Sequence, residues 1–162
     1  IQGYINASVR VGAFYKDELV AVMTFAKPLA AKNSGNSVST YELSRFCSKL
    51  DIRVIGIASK LLKYFDRNYS YNQLISYADK RWSVGNVYFK LGFTYSHTSD
   101  PNYWYLLEDK RVHRFGYRKS RLQNMSSYVA ALTEHQIMEN EGFSWIYDCG
   151  NMKFVKENSS GI

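Results

Sequence analysis

Arg53, Gly56 and Ala58 lie close together in the chain and could bind an anion. They precede a stretch with apolar residues at helical spacing, from Leu61 to Phe65, and Ser59 stands where a helix N-cap is expected. Small residues leave backbone N–H groups uncovered, and the first turn of a helix has donors without intrahelical partners. With the helix dipole, these donors would suit a pyrophosphate. An ordinary strand–turn–helix connection is the alternative.

Residues 110–121 carry nearly all of the excess positive charge of the chain. The net charge is +7, and this segment contributes six cations and no acid. A run of this density attracts polyanions, so contact with nucleic acid is one interpretation and a solvated charged face is the other. The cations are Lys110, Arg111, Arg114, Arg118, Lys119 and Arg121.

Alternation within this segment predicts a basic strand or extended arm from Val112 to Lys119. One face would carry ring side chains, namely those of His113, Phe115 and Tyr117, and the opposite face would carry arginines. The rings could stack on bases while the arginines bind phosphates. The alternative is that the rings pack in the core while the arginines on the opposite face are exposed to solvent.

Arg45 is a charged residue inside an apolar strand. A buried unpaired charge is costly, so its guanidinium needs an acid or a phosphate as partner. Glu42 and Asp79 are candidate partners, and so is a nucleic-acid substrate.

Two motifs follow one another in the order expected of a known family. Arg53-x-x-Gly56-x-Ala58 resembles the acyl-CoA pyrophosphate turn of the GCN5-related N-acetyltransferase (GNAT) family, Arg/Gln-x-x-Gly-x-Gly/Ala. The segment from Tyr88 to Phe93, YFKLGF, resembles the Tyr-x-Lys-Leu-Gly-Phe signature of the same family. The resemblance covers roughly residues 9–107 and implies acetyl-CoA or another acyl-CoA as cofactor.

Four segments carry a narrower resemblance: YELSRFCSKL, ISYADKRWS, NVYFKLGF and PNYWY. They are similar to the acetyltransferase-like domain of phage homing endonucleases and its free-standing relatives. The phage Mu protein Mom, which modifies DNA adenine, is a more distant likeness. This resemblance implies DNA as a partner, a fused or separate nuclease, and a location in the cytoplasm of the host cell.

Acyl transfer from a thioester to an amine needs a neutral amine, a donor to the carbonyl oxygen and a proton for the thiolate. The resemblance implies that Tyr88 protonates the thiolate, and packing against the sheet is its alternative role. Glu42, at the start of a central strand, and Asp79, at a strand end where ligands gather, are the candidate bases. Asp79 is followed by Lys80 and Arg81, so a structural ion pair is its alternative.

The resemblance also implies which residues contact the cofactor: Arg53, Val54, Ile55, Gly56, Ile57, Ala58, Ser59 and Asn86. Two features depart from the family pattern. Arg81 replaces an asparagine usually found about seven residues before the tyrosine, and the loop at residues 50–52 is short. The identity of the acyl group therefore stays open.

Composition indicates one folded domain over residues 1–156, with a disordered tail at 157–162. Of the 162 residues, 46% are hydrophobic, which excludes a disordered chain, and the mean hydropathy of −0.35, with no long apolar run in the sequence, excludes a membrane span. Two cysteines are too few for a disulfide framework or zinc site, and the three histidines lie on separate elements, so we expect no metal. The chain begins with Ile1, from which we expect an excised or trimmed piece.

Periodicity and turn signals predict an α+β fold with a mixed, mostly antiparallel sheet and flanking helices. The resemblance implies that this sheet is splayed between its fourth and fifth strands, with the cofactor in the gap. Strands are predicted at 9–15, 18–25, 41–47, 74–78, 94–98, 103–107, 112–119, 143–147 and 152–155. Helices are predicted at 59–67, at 84–91 with Gly92 ending it, and from Thr133, in a capping box with Gln136, to Asn140. Hairpins are expected around 16–17, 99–102 and 148–151, and a surface loop over a site at 27–39.

Three functions remain open from the sequence. The first is a phage-type N-acyltransferase acting on DNA bases, and the second is a non-catalytic DNA-binding domain that serves a nuclease. The third is an acetyltransferase for a small amine or a protein. The basic segment and the 16% aromatic content favour the first two. Oligomeric state cannot be predicted.

Overall fold

A computed structural model of the chain describes residues 6–28 and 39–158. The chain divides into two compact units, the first made of Ile1–Thr98 and Asn151–Ile162 and the second of Ser99–Gly150. The single domain expected over residues 1–156 stays a prediction. The expected loop at 27–39 lies mostly outside the described residues. None of the described helices combines the length and apolar composition that crossing a bilayer requires.

The first unit contains a six-stranded mixed sheet in the order β1-β2-β3-β4-β9-β5. Its strands are β1 (Val9–Tyr15), β2 (Glu18–Ala26), β3 (Thr40–Ser48), β4 (Gln73–Asp79), β5 (Thr94–Thr98) and β9 (Asn151–Glu157). Neighbours pair antiparallel except β3 with β4, which pair parallel. The helices are α1 (Ile57–Asn68), which connects β3 to β4, and α2 (Asn86–Lys90). The α+β class with a mostly antiparallel mixed sheet is confirmed.

Strands β1 and β2 form the hairpin that was predicted around Lys16 and Asp17. Lys16 and Asp17 have φ values of 47° and 62°, and the strands on either side pair from Tyr15 with Glu18 onward. Two left-handed residues make a tight turn whose twist matches that of the strands.

The core of the first unit lies between α1 and the sheet. Leu61, Leu62 and Phe65 are buried, and the ring of Phe65 stacks on Phe25 with 3.6 Å between centroids. Tyr64, which was expected in the same apolar stripe, is exposed instead. These residues recur at helical spacing, so one face of α1 packs on the sheet and fixes the direction of its N-terminus.

Two helix boundaries differ from the prediction. The first helix begins at Ile57 with Gly56 as its N-cap, so Ser59 lies inside the first turn and is not the cap. The second begins only at Asn86, after a cap at Gly85 with φ 79°. Gly92 does end α2 as predicted, with φ 81° and a bond from the Phe93 N–H to the Tyr88 carbonyl at 3.0 Å.

The second unit contains a three-stranded antiparallel sheet in the order β7-β6-β8. Its elements are β6 (Tyr103–Leu107), β7 (Lys110–His113), 3-10 segments at Arg114–Tyr117 and Lys119–Arg121, α3 (Glu134–Asn140) and β8 (Ser144–Tyr147). Tyr105, Leu122, Ile137 and Met138 form its buried core. The predicted capping box of Thr133 and Gln136 is present at the start of α3.

Two predicted hairpins are wrong. Strand β5 pairs with β9, whereas β6 pairs with β7 and β8. In the same way, β8 pairs with β6 and β9 pairs with β4 and β5, so 143–147 and 152–155 are not a hairpin. Apart from β6 with β7, these pairings join strands distant in sequence, and the turn-like residues at 99–102 and 148–151 form connections instead. Asp148, for example, accepts hydrogen bonds from the Asn102 and Gly150 N–H groups, each at 2.8 Å.

Two further predictions need correction. The basic strand expected to reach Lys119 ends at His113, whose Nδ1 accepts a bond from the Phe115 N–H and begins a 3-10 turn. The disorder expected from residue 157 is wrong for the first two residues, because Glu157 belongs to β9 and the Asn158 N–H bonds to the Asn72 carbonyl at 2.9 Å. Residues 159–162 lie outside the described part.

Candidate functional site

Strands β3 and β4 pair only at one end. Their register runs from Thr40 with Gln73 to Glu42 with Ile75. Beyond this point β3 stays paired with β2 as far as Ser48, and β4 stays paired with β9 as far as Asp79. The two strands therefore separate and leave main-chain groups facing a gap. The gap lies between the third and fourth strands along the chain, rather than the fourth and fifth as predicted.

A β-bulge lies where the gap opens. Thr24 pairs with Arg45 and Phe25 pairs with Leu43, so Ser44 is the additional residue on β3. A bulge bends its strand and increases the local twist. The bend in β3 therefore coincides with the loss of pairing to β4.

A cleft of about 510 Å³ lies in the first unit between the end of β3, the start of α1 and one side of α2. Its lining is part apolar and part cationic: Phe46, Ser48, Lys49, Leu50, Ile52, Arg53, Val54, Gly56, Ile57, Ala58, Ser59, Val87, Lys90 and Leu91. This volume is within the range of small-molecule and cofactor sites. The cleft begins on the strand that borders the gap and ends at a helix N-terminus.

The N-terminus of α1 is open to an anion. Gly56 has φ 74°, and a Cβ built there would meet nothing within 4 Å. The Lys60 N–H bonds to the Gly56 carbonyl at 3.1 Å, so the N–H groups of Ala58 and Ser59 precede the regular helical bonds. In the described chain this first turn has no acidic residue and no side-chain cap. The uncovered donors and the positive end of the dipole therefore face the cleft together with Arg53.

The structure brings together six of the eight predicted cofactor residues in the lining of this cleft: Arg53, Val54, Gly56, Ile57, Ala58 and Ser59. Ile55 is 88% exposed and Asn86 is the first residue of α2, and neither belongs to the lining. Sequence reasoning missed the apolar wall, which includes Phe46 and Val87. The i, i+4 spacing of Val87 and Leu91 was the available signal for the α2 side.

Tyr88 packs against the sheet. Its ring stacks on Phe154 at 4.7 Å and meets Phe93 edge-on at 5.7 Å. Its hydroxyl donates to the main-chain carbonyl of Tyr77 at 3.2 Å. Tyr77 lies on β4, a strand that borders the gap, so the Tyr88 hydroxyl is held beside the gap although Tyr88 is not a lining residue of the cleft.

Glu42 is a half-buried carboxyl at the last paired position before the gap. Burial raises the pKa of Glu42 above its ordinary value of 4.5. The pKa of Tyr77 is also raised, first by burial and then by the negative charge of Glu42, which shows that the two groups interact. A carboxylate with a raised pKa is a stronger base than an ordinary one.

Asp79 is engaged in local structure. Its Oδ1 accepts the Arg81 N–H at 2.8 Å, and its Oδ2 lies 3.5 Å from the Arg81 guanidinium. This is the structural ion pair that was its alternative role. Arg45 lies half-buried on β3 opposite Thr24, and its proposed contact with nucleic acid stays a prediction.

The predicted nucleic-acid residues other than Arg45 lie in the second unit. Arg111 lies over the Trp104 ring and Arg118 over the Phe115 ring, whereas the Lys119 amine donates to the Ala130 carbonyl at 2.7 Å. Of the remaining predicted cations, Arg114 is half-buried over the Tyr103 ring, and Lys110 and Arg121 are exposed.

Tyr117 does not share a face with His113 and Phe115, so that prediction is wrong. It packs against Tyr105 and Phe143 at the core of the second unit. The cause is the 3-10 turn, which replaces the twofold alternation of a strand. Among the described residues, no group of three or more His, Cys, Asp or Glu side chains is placed to hold a metal ion.

No protein family model and no curated protein matches the chain. The chain does resemble several solved structures. A protein assigned to the GNAT family of acetyltransferases from Desulfovibrio desulfuricans is 12% identical with a TM-score of 0.51, covering 93% of this chain and 68% of that one. A GNAT family acetyltransferase from Elizabethkingia anophelis with acetyl-CoA bound is 16% identical with a TM-score of 0.47, covering 90% and 73%.

The Bacillus subtilis acetyltransferase in complex with CoA is 12% identical with a TM-score of 0.47, covering 90% of this chain and 74% of that one. The likeness to the Desulfovibrio protein shows that this chain has the fold of GNAT acetyltransferases. At this level of identity the likeness shows the fold alone.

Proposed function

We propose that the chain is an acyl-CoA-dependent N-acyltransferase. The observation that carries the proposal is that β3 borders the strand gap on one side and leads into the cleft, which ends at the open, uncapped N-terminus of α1. In coenzyme A a pyrophosphate joins the adenosine nucleotide to an extended arm, which carries amide groups and ends in a thiol. The site offers a matching order of groups, from the turn at Gly56 to the opening beside Glu42.

The pyrophosphate would be held by Arg53 and the N–H groups of Ala58 and Ser59, which are uncovered donors at a helix N-terminus. The amides of the arm would bond to main-chain groups of β3 that β4 leaves unpaired. From Glu42 to Ser48, β3 spans about 20 Å at 3.3 Å per residue, which is enough for an extended arm. When bound, acyl-CoA supplies an activated thioester carbonyl.

Glu42 would remove the proton from the attacking amine. Its carboxyl lies at the opening of the gap, and its raised pKa suits a general base. Tyr88 would return a proton to the departing thiolate by exchanging the Tyr77 carbonyl for the sulfur as its hydrogen-bond acceptor. Asp79, held by Arg81, is the weaker candidate base.

We propose DNA as the partner that carries the acceptor amine, with an acylated nucleobase as the product. The likeness of YELSRFCSKL, ISYADKRWS, NVYFKLGF and PNYWY to the domain of phage homing endonucleases supports this, as does the distant likeness to Mom. The six cations at residues 110–121 support it independently. A phage protein of this kind would act in the cytoplasm of its host, with a nuclease as a further partner.

A second function is a non-catalytic DNA-binding domain that keeps the fold and serves a nuclease. It is favoured by the structural roles of two candidate catalytic residues. Tyr88 is packed and hydrogen-bonded to the Tyr77 carbonyl, and Asp79 is paired with Arg81. The uncapped, open N-terminus of α1 favours the enzyme instead.

Incubation with acetyl-CoA and DNA, followed by digestion to nucleosides and mass spectrometry, tests the proposal. An acylated nucleoside that disappears in the Glu42→Gln variant is the expected result. If CoA binds but no nucleoside is modified, the acceptor is a small amine or a protein. If CoA does not bind at all, the non-catalytic function is the correct one.

A further inference from the structure

Planar side chains of the second unit form a continuous column. The Trp104 ring meets the His113 ring edge-on at 4.4 Å, and the imidazole of His113 stacks on Phe115 at 4.7 Å with 28° between the planes. The Arg118 guanidinium lies 4.3 Å from the centre of the Phe115 ring. We call Trp104, His113, Phe115 and Arg118 the aromatic–arginine column.

Local structure holds this column in place. Trp104 and His113 are direct partners across β6 and β7, so their side chains share one face of the sheet. The His113 Nδ1 accepts the Phe115 N–H at 3.3 Å, and the 3-10 turn that follows brings the Phe115 ring onto the imidazole. The column is therefore arranged before any ligand binds, which lowers the entropy cost of binding.

The column is not part of the core of the second unit. Tyr105, which alternates with Trp104 on β6, is fully buried and points into the core with Ile137 and Met138. Phe115, in contrast, is 47% exposed, and Arg118 is exposed as well. Trp104 and His113 are half-buried, and folding of the unit does not explain why the column continues to the exposed Phe115 and Arg118.

In the described part of the chain, the arginines around the column form no ion pairs with acids. Arg111 lies over the outer side of the sheet at 4.7 Å from Trp104, and Arg114 lies 5.8 Å from Phe115. Within residues 6–28 and 39–158, neither of these arginines nor Arg118 forms an ion pair with a carboxylate. Their charges are therefore available to phosphates. His113 and Arg118 cover the two faces of the Phe115 ring, so a base would continue the column on the outer face of the exposed Arg118 plane.

We infer that the aromatic–arginine column is a binding site for an unpaired DNA strand. Free bases stack on aromatic rings and on guanidinium planes, and a flexible strand can bring its phosphates to the surrounding arginines. A duplex can satisfy only the charges, because its bases are already stacked on one another. The same reason disfavours an acidic peptide, which has no planes to extend the column.

This inference rests on the nucleic-acid part of the proposed function and not on acyl transfer. It adds that the acceptor-bearing DNA is contacted in its single-stranded form. Enzymes that react with a base act on single strands or on extruded nucleotides, because the base edge is inaccessible within a duplex.

Fluorescence anisotropy with labelled oligo-dT and a duplex of the same length, without CoA, tests the inference. Phe115→Leu removes the ring but keeps an apolar side chain, and Arg118→Lys keeps the charge but removes the plane. Each should weaken binding of oligo-dT by about 5- to 150-fold, the factor that corresponds to the loss of one stacked base. Binding of the duplex should change little.

Lys110→Gln is the matched control, since it removes one exposed charge of the same segment without touching the column. It should weaken strand and duplex alike and reduce the salt slope by about 0.7 on the single strand and about 0.9 on the duplex, if Lys110 holds one phosphate. Thermal melting establishes that the variants are folded, and Arg118→Lys, at an exposed position, provides a second test should Phe115→Leu be destabilised.

The inference is overturned if the wild type binds neither oligonucleotide, or if it binds the duplex as tightly as oligo-dT. It is equally overturned if Phe115→Leu and Arg118→Lys leave oligo-dT binding unchanged. Tighter binding of oligo-rU than of oligo-dT would assign the column to RNA. Titration with CoA reports on the acyltransferase proposal separately, so failure of one does not imply failure of the other.

Discussion

The hydroxyl of Ser76 donates a hydrogen bond of 2.7 Å to the main-chain carbonyl of Leu43, immediately beyond the point where β3 and β4 stop pairing. Ser76 is only 1% exposed. A side chain thus satisfies a carbonyl that the parallel ladder no longer reaches. The gap between the strands is therefore stabilised at its closed end and is a built feature of the sheet.

Ser76→Ala should destabilise the protein. It leaves the buried Leu43 carbonyl without this donor, which costs about 1–3 kcal/mol. Denaturation with urea measures the change in the free energy of unfolding. Ser96→Ala is the control, since its hydroxyl is exposed and bonds to the neighbouring His97, and it should stay within about 0.5 kcal/mol of the wild type. Equal stability of the Ser76 variant and wild type would contradict a role in holding the gap.

Glu42→Gln should change both the pH dependence of stability and the reaction. The raised pKa of Glu42 means that the folded state binds its proton more tightly than the unfolded state does. The proton on Glu42 therefore contributes fully to the stability of the folded state below the ordinary pKa of 4.5. This contribution is lost as the pH rises through the higher pKa that Glu42 has in the folded state. The stability of the Gln variant relative to wild type should therefore increase as the pH rises from 4.5 through the pKa of Glu42 in the folded state. Urea denaturation at several pH values measures this change.

The same carboxyl must be ionised to accept a proton, so the rate of the wild type should rise with pH through the folded pKa of Glu42. In the Gln variant the rate should be low and this limb of the pH profile should be absent. A variant with full activity and the same pH profile would show that Glu42 is not the base.

Tyr88→Phe should slow turnover by roughly 10- to 1000-fold, within and somewhat below the usual range for a positioned proton donor. The ring would still stack on Phe154, and the lost hydrogen bond to the Tyr77 carbonyl should cost only about 0.5–1.5 kcal/mol. Tyr95→Phe is a matched control, because it also removes an exposed tyrosine hydroxyl, one bonded to Thr98. Steady-state kinetics at saturating acyl-CoA give the comparison, and unchanged turnover would assign Tyr88 to packing alone.

Signals that act over a few residues predicted the structure well. The Lys16-Asp17 turn, the Thr133 capping box and the Gly92 helix end were all predictable, because each depends on the conformations and hydrogen bonds of neighbouring residues. The turn at Gly56 that precedes α1 was predictable for the same reason, although its cap was misplaced at Ser59, and its binding of an anion stays a prediction.

Pairings between distant segments could not be predicted from local patterns. Thr94 pairs with Val155, although the sequence of the whole second unit separates the two residues, and nothing in either strand specifies that partner. The bulge at Ser44 is likewise a property of the register between β2 and β3, so the sequence of β3 alone does not show it. The column of Trp104 and Phe115 arises because the chain turns at His113, where alternation predicted a continued strand.

Isothermal titration with CoA, using wild type, Gly56→Asp and Gly56→Asn, tests the central claim most directly. Both substitutions place a side chain of the same size at a left-handed position that Asn and Asp tolerate better than most residues, and neither Cβ would meet an atom within 4 Å. Only Asp adds a negative charge beside the N–H groups of Ala58 and Ser59. We predict that wild type binds CoA, that Gly56→Asn binds it measurably, and that Gly56→Asp does not bind it although it is folded. Absence of binding by wild type, or equal binding by Gly56→Asp and wild type, would contradict the assignment of this cleft to acyl-CoA.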